Sequence, residues 1–433
     1  MKKLLTGLLV VFLFSGLIFG GFSQAQDEPT ITYIEPGTSE AEKARTERIS
    51  KEINEQFDDL DFQVEYIPWG QLRNKITTRL MAGDAPDMVL QQDFTALARL
   101  GAFEPLGDSL EGDPMYDVSE DNFNDALLEY STMNDELYML PLAGVAWGLV
   151  VREDLLNEEG YSVKDLETWE DFKEIAKALT KDTDGDGDVD QYGYIYDSGA
   201  PRYAWREAEL VAHSNNVRLE NVEANEKKVK EFLSFIKDLK PYTPSGDTAM
   251  DLNDAYRAYA QGRVAMMVTG SWFNSNIVTV NKEVMKDTRV VPFPKGPSAD
   301  EFRVPVNAVG YSMFEKSQNK EKVWKVMNYL TSKEKALSFA AMINLPARTD
   351  ISPEEFAEAS KENYPEVPEA NAQIVTDFLE IQNKYGVPRS KLAYGPRIEK
   401  EFSGIITNFR QGNLTVGEAY SQLSETLPPL VKN

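Results

Sequence analysis

The sequence predicts an α/β protein built on an open, largely parallel sheet with helices on both faces. Strand-like and helix-like hydrophobic spacings alternate from Ile31 onward, the order expected of successive βα units. The 433 residues are 42% hydrophobic and 27% charged, the balance of a globular chain of roughly two or three domains. Neither a repeat nor a low-complexity tract interrupts the pattern.

Ile31-Thr32-Tyr33-Ile34 reads as a short buried strand ended by Glu35-Pro36-Gly37. Ile49, Ile53 and Phe57 recur at helical spacing, and Phe62, Val64 and Tyr66 alternate as a strand does. Leu72, Ile76 and Leu80 return to helical spacing, Met88-Val89-Leu90 is a strand, and Thr95 to Leu100 is helical. In such sheets ligands meet the loops at the carboxyl ends of strands, here Glu35 to Ser39 and Gln91 to Asp93. Pro141 to Gly148, rich in small residues, leads into Leu149-Val150-Val151. Thr168, with Asp171 three positions on, predicts a capped helix start. Val264 to Val268 reads as a buried strand ending at Thr269-Gly270-Ser271-Trp272, and Val290 to Pro294 as an extended segment. Trp324 to Leu330 is an amphipathic helix. From Ala336 the pattern is almost wholly helical, ending in Leu414 to Leu427.

The first residues read as an address. Lys2 and Lys3 precede an apolar run from Leu4 to Phe22, and Ser23-Gln24-Ala25 offers small residues for cleavage before Gln26. Residues 1–25 are therefore expected to be a signal peptide; the alternative is a retained anchor, since the run approaches the roughly 20 residues of a spanning helix. Without cysteine there can be no disulfide, thiolate metal site, cysteine nucleophile or lipid-bearing N-terminal cysteine. The expected location is a periplasm or the external medium. A formal charge of −26 repels nucleic-acid backbones and anionic membrane surfaces, so neither is an expected partner.

Several short segments together resemble one family. Met81-Ala82-Gly83-Asp84-Ala85-Pro86-Asp87-Met88-Val89, then Leu140-Pro141 followed by Val150 to Leu156, are similar to signatures of the extracellular solute-binding proteins of family 1, the maltose-binding-like receptors of ABC importers. Thr168 to Phe172, Gly262 to Met267 with Gly270-Ser271-Trp272, Ser317 to Lys320 with Val323-Trp324, and Leu345-Pro346-Ala347-Arg348 resemble further signatures in the same order. One departure is Val150-Val151-Arg152-Glu153, where many relatives carry an aromatic-Asn pair before Lys-Asp. The resemblance implies two α/β lobes closing over a ligand, residues 26–142 plus 292–331 in one and 143–291 plus 332–433 in the other. Crossings are expected near Leu140 to Val145, Val290 to Pro294 and Tyr329 to Lys333. It also implies a carbohydrate ligand, most simply an oligosaccharide, a monomeric binding protein and membrane permease subunits as partners. Polyol, polyamine or peptide ligands are the alternatives.

Sugars offer C–H faces to aromatic rings and hydroxyls to carboxylates, amides and guanidiniums. Of the six tryptophans, Trp169 and Trp324 fall at core-spaced helix positions. Trp272 stands where the family has a stacking tryptophan, and Trp205, beside Arg202 and Tyr203, where relatives place second-lobe aromatics. Trp147 near the hinge and Trp69 in a Pro-Trp-Gly turn are candidates for ligand contact or packing. Gln91, Gln92 and Asp93 end a strand, with helix capping the alternative for Asp93. Glu35, Arg348 and Tyr394 complete the candidates; Arg348 could equally cap a helix or pair with a carboxylate.

Asp182, Asp184, Asp186, Asp188 and Asp190 carry the sharpest chemical signal. Aspartates at positions 1, 3 and 5 with glycine at 6 match a calcium-loop spacing, the carbonyl of Asp188 and the side chain of Asp190 filling positions 7 and 9. Gly193 stands where the bidentate glutamate belongs. A structural Ca²⁺ of modest affinity, on the order of 10⁻⁴ to 10⁻³ M, is expected; the alternative is a solvated acidic loop. An enzyme is not expected. With 71 acidic residues, a glycosidase-like carboxylate pair carries no information. The single histidine, His213, reads as a surface residue outside any catalytic constellation.

Overall fold

A computed structural model describes residues 29–37, 40–106, 122–196, 199–391 and 395–432. The expected signal peptide and Tyr394 lie outside the described residues. Among the described residues, no helix is long and apolar enough to cross a membrane.

The strands are β1 (Thr30–Glu35), β2 (Asp61–Tyr66), β3 (Met88–Gln91), β4 (Thr132–Met133), β5 (Glu136–Leu137) and β6 (Leu140–Arg152). They are followed by β7 (Tyr192–Ile195), β8 (Val264–Gly270), β9 (Thr288–Val291), β10 (Val304–Met313), β11 (Leu345–Pro346) and β12 (Gly386–Pro388). β4 and β5 form a small separate hairpin; the others make one sheet in the order β2-β1-β3-β10-β6-β8-β7, with β9 and β11 on β6 and β12 on β10. Toward the two ends the pairings are parallel, as the βα alternation predicts: β1 with β2 and β3, and β7 with β8. The helices Glu40–Gln56 and Trp69–Ala82 supply the crossovers between the first three strands. At the centre β10 runs antiparallel to β3 and β6, and β6 antiparallel to β8 and β9, because here the chain passes back and forth between lobes.

β6 is the shared strand. Its first half pairs with β10 from Leu140 to Ala146, and its second half with β8 from Trp147 to Val151. Every residue but Arg152 is buried, which explains the unbroken apolar run. The chain leaves the second lobe's sheet at the end of β9, Val291, and enters the first lobe's sheet at Val304.

Distant sequence signals meet in the fold. The Asp87 carboxylate of the Ala-Pro-Asp segment accepts from the Thr32 amide and hydroxyl, both at 2.8 Å, and from the Ser317 hydroxyl at 2.5 Å. Asn319 donates to the Thr30 carbonyl at 3.2 Å, so two motifs more than 200 residues apart form one node that fastens β1. Thr168 and Asp171 cap the helix Trp169–Ala178 reciprocally. Trp169 stacks on Phe235 at 4.2 Å, and Trp324 is buried. Arg289 of β9 forks onto Asp377 at 2.9 and 3.0 Å, tying the second lobe's edge to the helix Pro368–Tyr385.

The β6–β10 register shifts at Val309/Gly310, beside the space between the lobes. A Cβ at Gly310 would sit 2.3 Å from the Leu140 carbonyl oxygen, a contact that only backbone movement relieves. Gly310→Ala is expected to cost about 1–3 kcal/mol, the usual penalty of overpacking. A lower urea midpoint with an unchanged slope is the outcome to look for.

Candidate functional site

A cleft of about 850 Å³ lies between the lobes. Its floor is made by Val145 and Trp147 of β6 and by Asn307 and Val309 of β10. The first lobe contributes Glu35 at the tip of β1, Arg45 and Thr46 from the following helix, and Trp69 at the start of the next. The second lobe contributes Arg202, Tyr203 and Arg206 from the helix Pro201–His213, Tyr256, and Trp272 with Asn276 after β8.

Aromatic rings and unmatched donors share this space. Trp147 and Trp272 meet edge to face with ring centres 5.0 Å apart, a contact set by the pairing of Trp147 with Gly270 across β6 and β8. The Trp272 ring lies where a Cβ at residue 270 would be, within 2.1 Å, so only glycine permits this arrangement. Arg45 is 5% exposed, with its guanidinium 4.6 Å above the Phe339 ring. Its Nε and Nη2 and the Trp147 Nε1 have no hydrogen-bond partner among the described residues. Buried donors of this kind are rare without an acceptor from outside the chain. Glu35 accepts from the Tyr33 hydroxyl at 2.6 Å, the Gly37 amide at 2.9 Å and the Thr46 hydroxyl at 3.3 Å. Burial raises its carboxyl above the usual range, against the pull of those bonds and of Arg45.

Residues 37–337 match the bacterial extracellular solute-binding protein family. The chain belongs to that family. This solute-binding protein is 21% identical over 390 residues to the arabinooligosaccharide-binding protein of Halalkalibacterium halodurans, covering 86% of the chain and 84% of the relative. Its fold is similar to that of the sugar-binding protein MalE of Xanthomonas citri, with a TM-score of 0.76, 18% identity and coverage of 93% and 97%. It is also similar to an ABC transporter solute-binding protein of Thermotoga lettingae bound with α-D-tagatose, with a TM-score of 0.72, 20% identity and coverage of 93% and 100%. Members of the family are binding proteins.

Within this solute-binding protein, Trp69, Trp147, Trp272 and Glu35 line the cleft. Trp205 does not. It is wholly buried and packs edge-on against Phe402 at 5.0 Å. Arg202, Tyr203 and Arg206 fall within one arc of about 100° on their helix, and Trp205 lies outside it. Arg348 forks onto Asp350 at 2.8 and 2.7 Å and lies over the Phe123 ring, the carboxylate pairing that the sequence left open, and it is not among the residues that line the cleft. Gln91 is buried and donates to the Ser312 hydroxyl at 2.6 Å, a bond between neighbouring strands. Asp93 faces an adjoining cavity, 3.8 Å from Arg206. Desolvation works against its ionised form, but Arg206, Arg202 and Arg73 outweigh it and hold the carboxyl below its usual value. No pattern along the chain marks Arg45, whose helical neighbours read as solvated charges.

Between the helix Trp169–Ala178 and β7 the acidic loop folds back on itself. Carboxylate oxygens of Asp182, Asp184 and Asp190 lie within 4.8 Å of one another. Asp182 accepts from the amides of Gly187 and Gly185, and these bonds hold it below the usual carboxylate range. Asp186 turns its carboxylate to the Asp188 amide at 2.8 Å and is not part of that convergent group. Asp188 stands outside it too.

His213 corrects the expectation of a surface residue. It is 3% exposed, and its Nδ1 bonds the Glu209 carbonyl at 2.8 Å. Burial lowers its pKa from 6.5 to about 4, although that carbonyl pulls the other way. The folded state therefore refuses a proton that the unfolded chain accepts, and stability falls as pH drops from 6.5 toward 4. Compared with His213→Gln, the natural chain is expected to lose on the order of 2–3 kcal/mol more over that window, read from urea unfolding at several pH values.

Proposed function

We propose that this protein captures a carbohydrate, an oligosaccharide most simply, outside the cytoplasm and delivers it to the permease subunits of an ABC importer. The observation that carries this reading is the cleft in which Trp69, Trp147, Trp272, Tyr203 and Tyr256 surround buried polar groups from both lobes. Rings take the C–H faces of a sugar, while Arg45, Asn307, Asn276 and Glu35 take its hydroxyls. The sugar-binding relatives support the same choice over a polyol, polyamine or peptide.

Binding couples to shape through the shared strands. A ligand touching both walls gains its full contacts only when the lobes approach, so it shifts their equilibrium toward closure. Hinge closing of this kind lets a permease distinguish a loaded monomer from an empty one. No chemical step is required of the protein in this role.

Calorimetry against mono- and oligosaccharides tests the assignment. Saturable binding without sugar turnover is expected, and Trp272→Ala should weaken it about tenfold or more through lost stacking. Silence across every saccharide, with binding of a polyamine or peptide instead, would overturn it.

We also propose that Asp182, Asp184 and Asp190 hold a structural Ca²⁺, with the Asp188 carbonyl as a further ligand. The convergence of three carboxylates supports this reading, since a hard dication relieves their repulsion. Millimolar Ca²⁺ is expected to raise the melting temperature reversibly, chelator to reverse the rise, and Asp184→Asn to remove the response. An unchanged melting temperature in all three conditions would count against the site.

A further inference from the structure

Behind Trp69 and Gln92 the cleft opens into a second cavity of about 480 Å³, which also shares Arg202 and Arg206 with it. Five arginines reach this cavity from four separate stretches of the chain: Arg73, Arg202 and Arg206 on one helix, Arg389 and Arg397. The carboxylates that face them are Asp93 and Glu399 on the wall and Glu209 beneath. In a chain of net charge −26, this is a local excess of positive charge placed where a ligand in the cleft can reach it.

The guanidiniums are poorly matched by the chain's own acceptors. Arg206 is 5% exposed, yet among the described residues its acceptors are Asn307 Oδ1 at 3.5 Å and Asp93 at 3.8 Å. Charge-assisted bonds are shorter than that, about 2.7–2.9 Å. Among the described residues Arg202 reaches only Gln92 Oε1, at 3.4 Å. Arg73 and Arg397 make no hydrogen bond or ion pair among the described residues. Arg389, also 5% exposed, donates Nε to Glu209, but its Nη1 has no partner among the described residues. Burying cations without acceptors is costly, and an arriving oxyanion would satisfy several donors at once. Arginine, with its flat fork of donors, suits that task better than lysine.

We propose that the ligand is an acidic carbohydrate, its oxyanion held by Arg73, Arg206, Arg389 and Arg397 while its rings lie across the tryptophans of the cleft. The inference rests on the carbohydrate reading above and narrows it. A uronate carboxylate and a sulfate or phosphate ester share the required chemistry.

Calorimetry on the full chain would compare oligosaccharides of galacturonate, glucuronate and mannuronate, and sulfated and phosphorylated disaccharides, each with its neutral counterpart, at 20 and 300 mM NaCl. At least one acidic sugar is expected to bind about 30-fold or more tightly than its neutral counterpart, with affinity falling severalfold at high salt. Preference for the uronate assigns a carboxylate, and preference for the ester assigns sulfate or phosphate. Arg73→Gln with Arg397→Gln, both on accessible positions, should lower that affinity about tenfold without changing the melting temperature. If a neutral sugar binds as tightly as its acidic counterpart, or the double variant binds the acidic sugar undiminished, the arginine cavity is not a subsite and the carbohydrate reading survives alone. If no sugar binds, both readings fail together.

Discussion

The whole arrangement hangs on β6 belonging to two lobes at once. A strand of 13 residues spans roughly 40 Å, enough to cross from one lobe into the next without a break in its hydrogen-bonded ladder. Because both of its faces are covered along almost its entire length, it has to be apolar nearly throughout, and the chain from Leu140 to Val151 is. Its partners then follow: β10 must run antiparallel beside its first half, and β8 and β9 beside its second. The floor of the cleft is therefore made of sheet rather than loop. Trp147 and Asn307 inherit their positions from strand register, which fixes them more firmly than a loop could.

From that floor the walls differ in kind. The first lobe offers the carboxylate of Glu35, the buried guanidinium of Arg45 and one ring, Trp69, whereas the second offers Tyr203, Tyr256 and Trp272 and a helix carrying Arg202 and Arg206. Arginines outnumber carboxylates along the cavity wall although the chain as a whole is acidic. Surface carboxylates dominate the total charge, but they are separated from the cavity by protein and screened by salt over about 10 Å. A ligand in the cavity responds mainly to the arginines within bonding reach of it. Net charge keeps such a protein dispersed and says little about what it holds.

The helix Pro201–His213 shows where local patterns lose their meaning. From Ala204 to His213 every residue is buried, including Arg206, Glu207 and Glu209, so no polar stripe marks one side as outer. Trp205 and His213 look available in the sequence for that reason, while the fold makes both core: Trp205 packs against Phe402 of the helix Gly395–Arg410, nearly 200 residues away, and His213 is buried beside Glu209, Glu220, Arg218 and Arg303. Arg348 illustrates a short-range constraint instead. Its carboxylate partner, Asp350, stands two residues on, and a short-range pair of that sort competes with any distant ligand.

The sequence alone determined the alternation of strands and helices, the capped start at Thr168, the buried crossing strand and the family signatures, because each is written in the spacing of neighbours along the chain. Their purpose was not written there: Asp87 and Ser317 are signature residues whose shared hydrogen bond exists only once β3 and β10 lie side by side. Only the tertiary structure decided which tryptophans face the cleft and which face the core. It alone gathered arginines 73, 206, 389 and 397 into one cavity. Side chains that meet from four separate elements leave no periodicity to read, since their proximity is set by how lobes pack and not by how many residues lie between them.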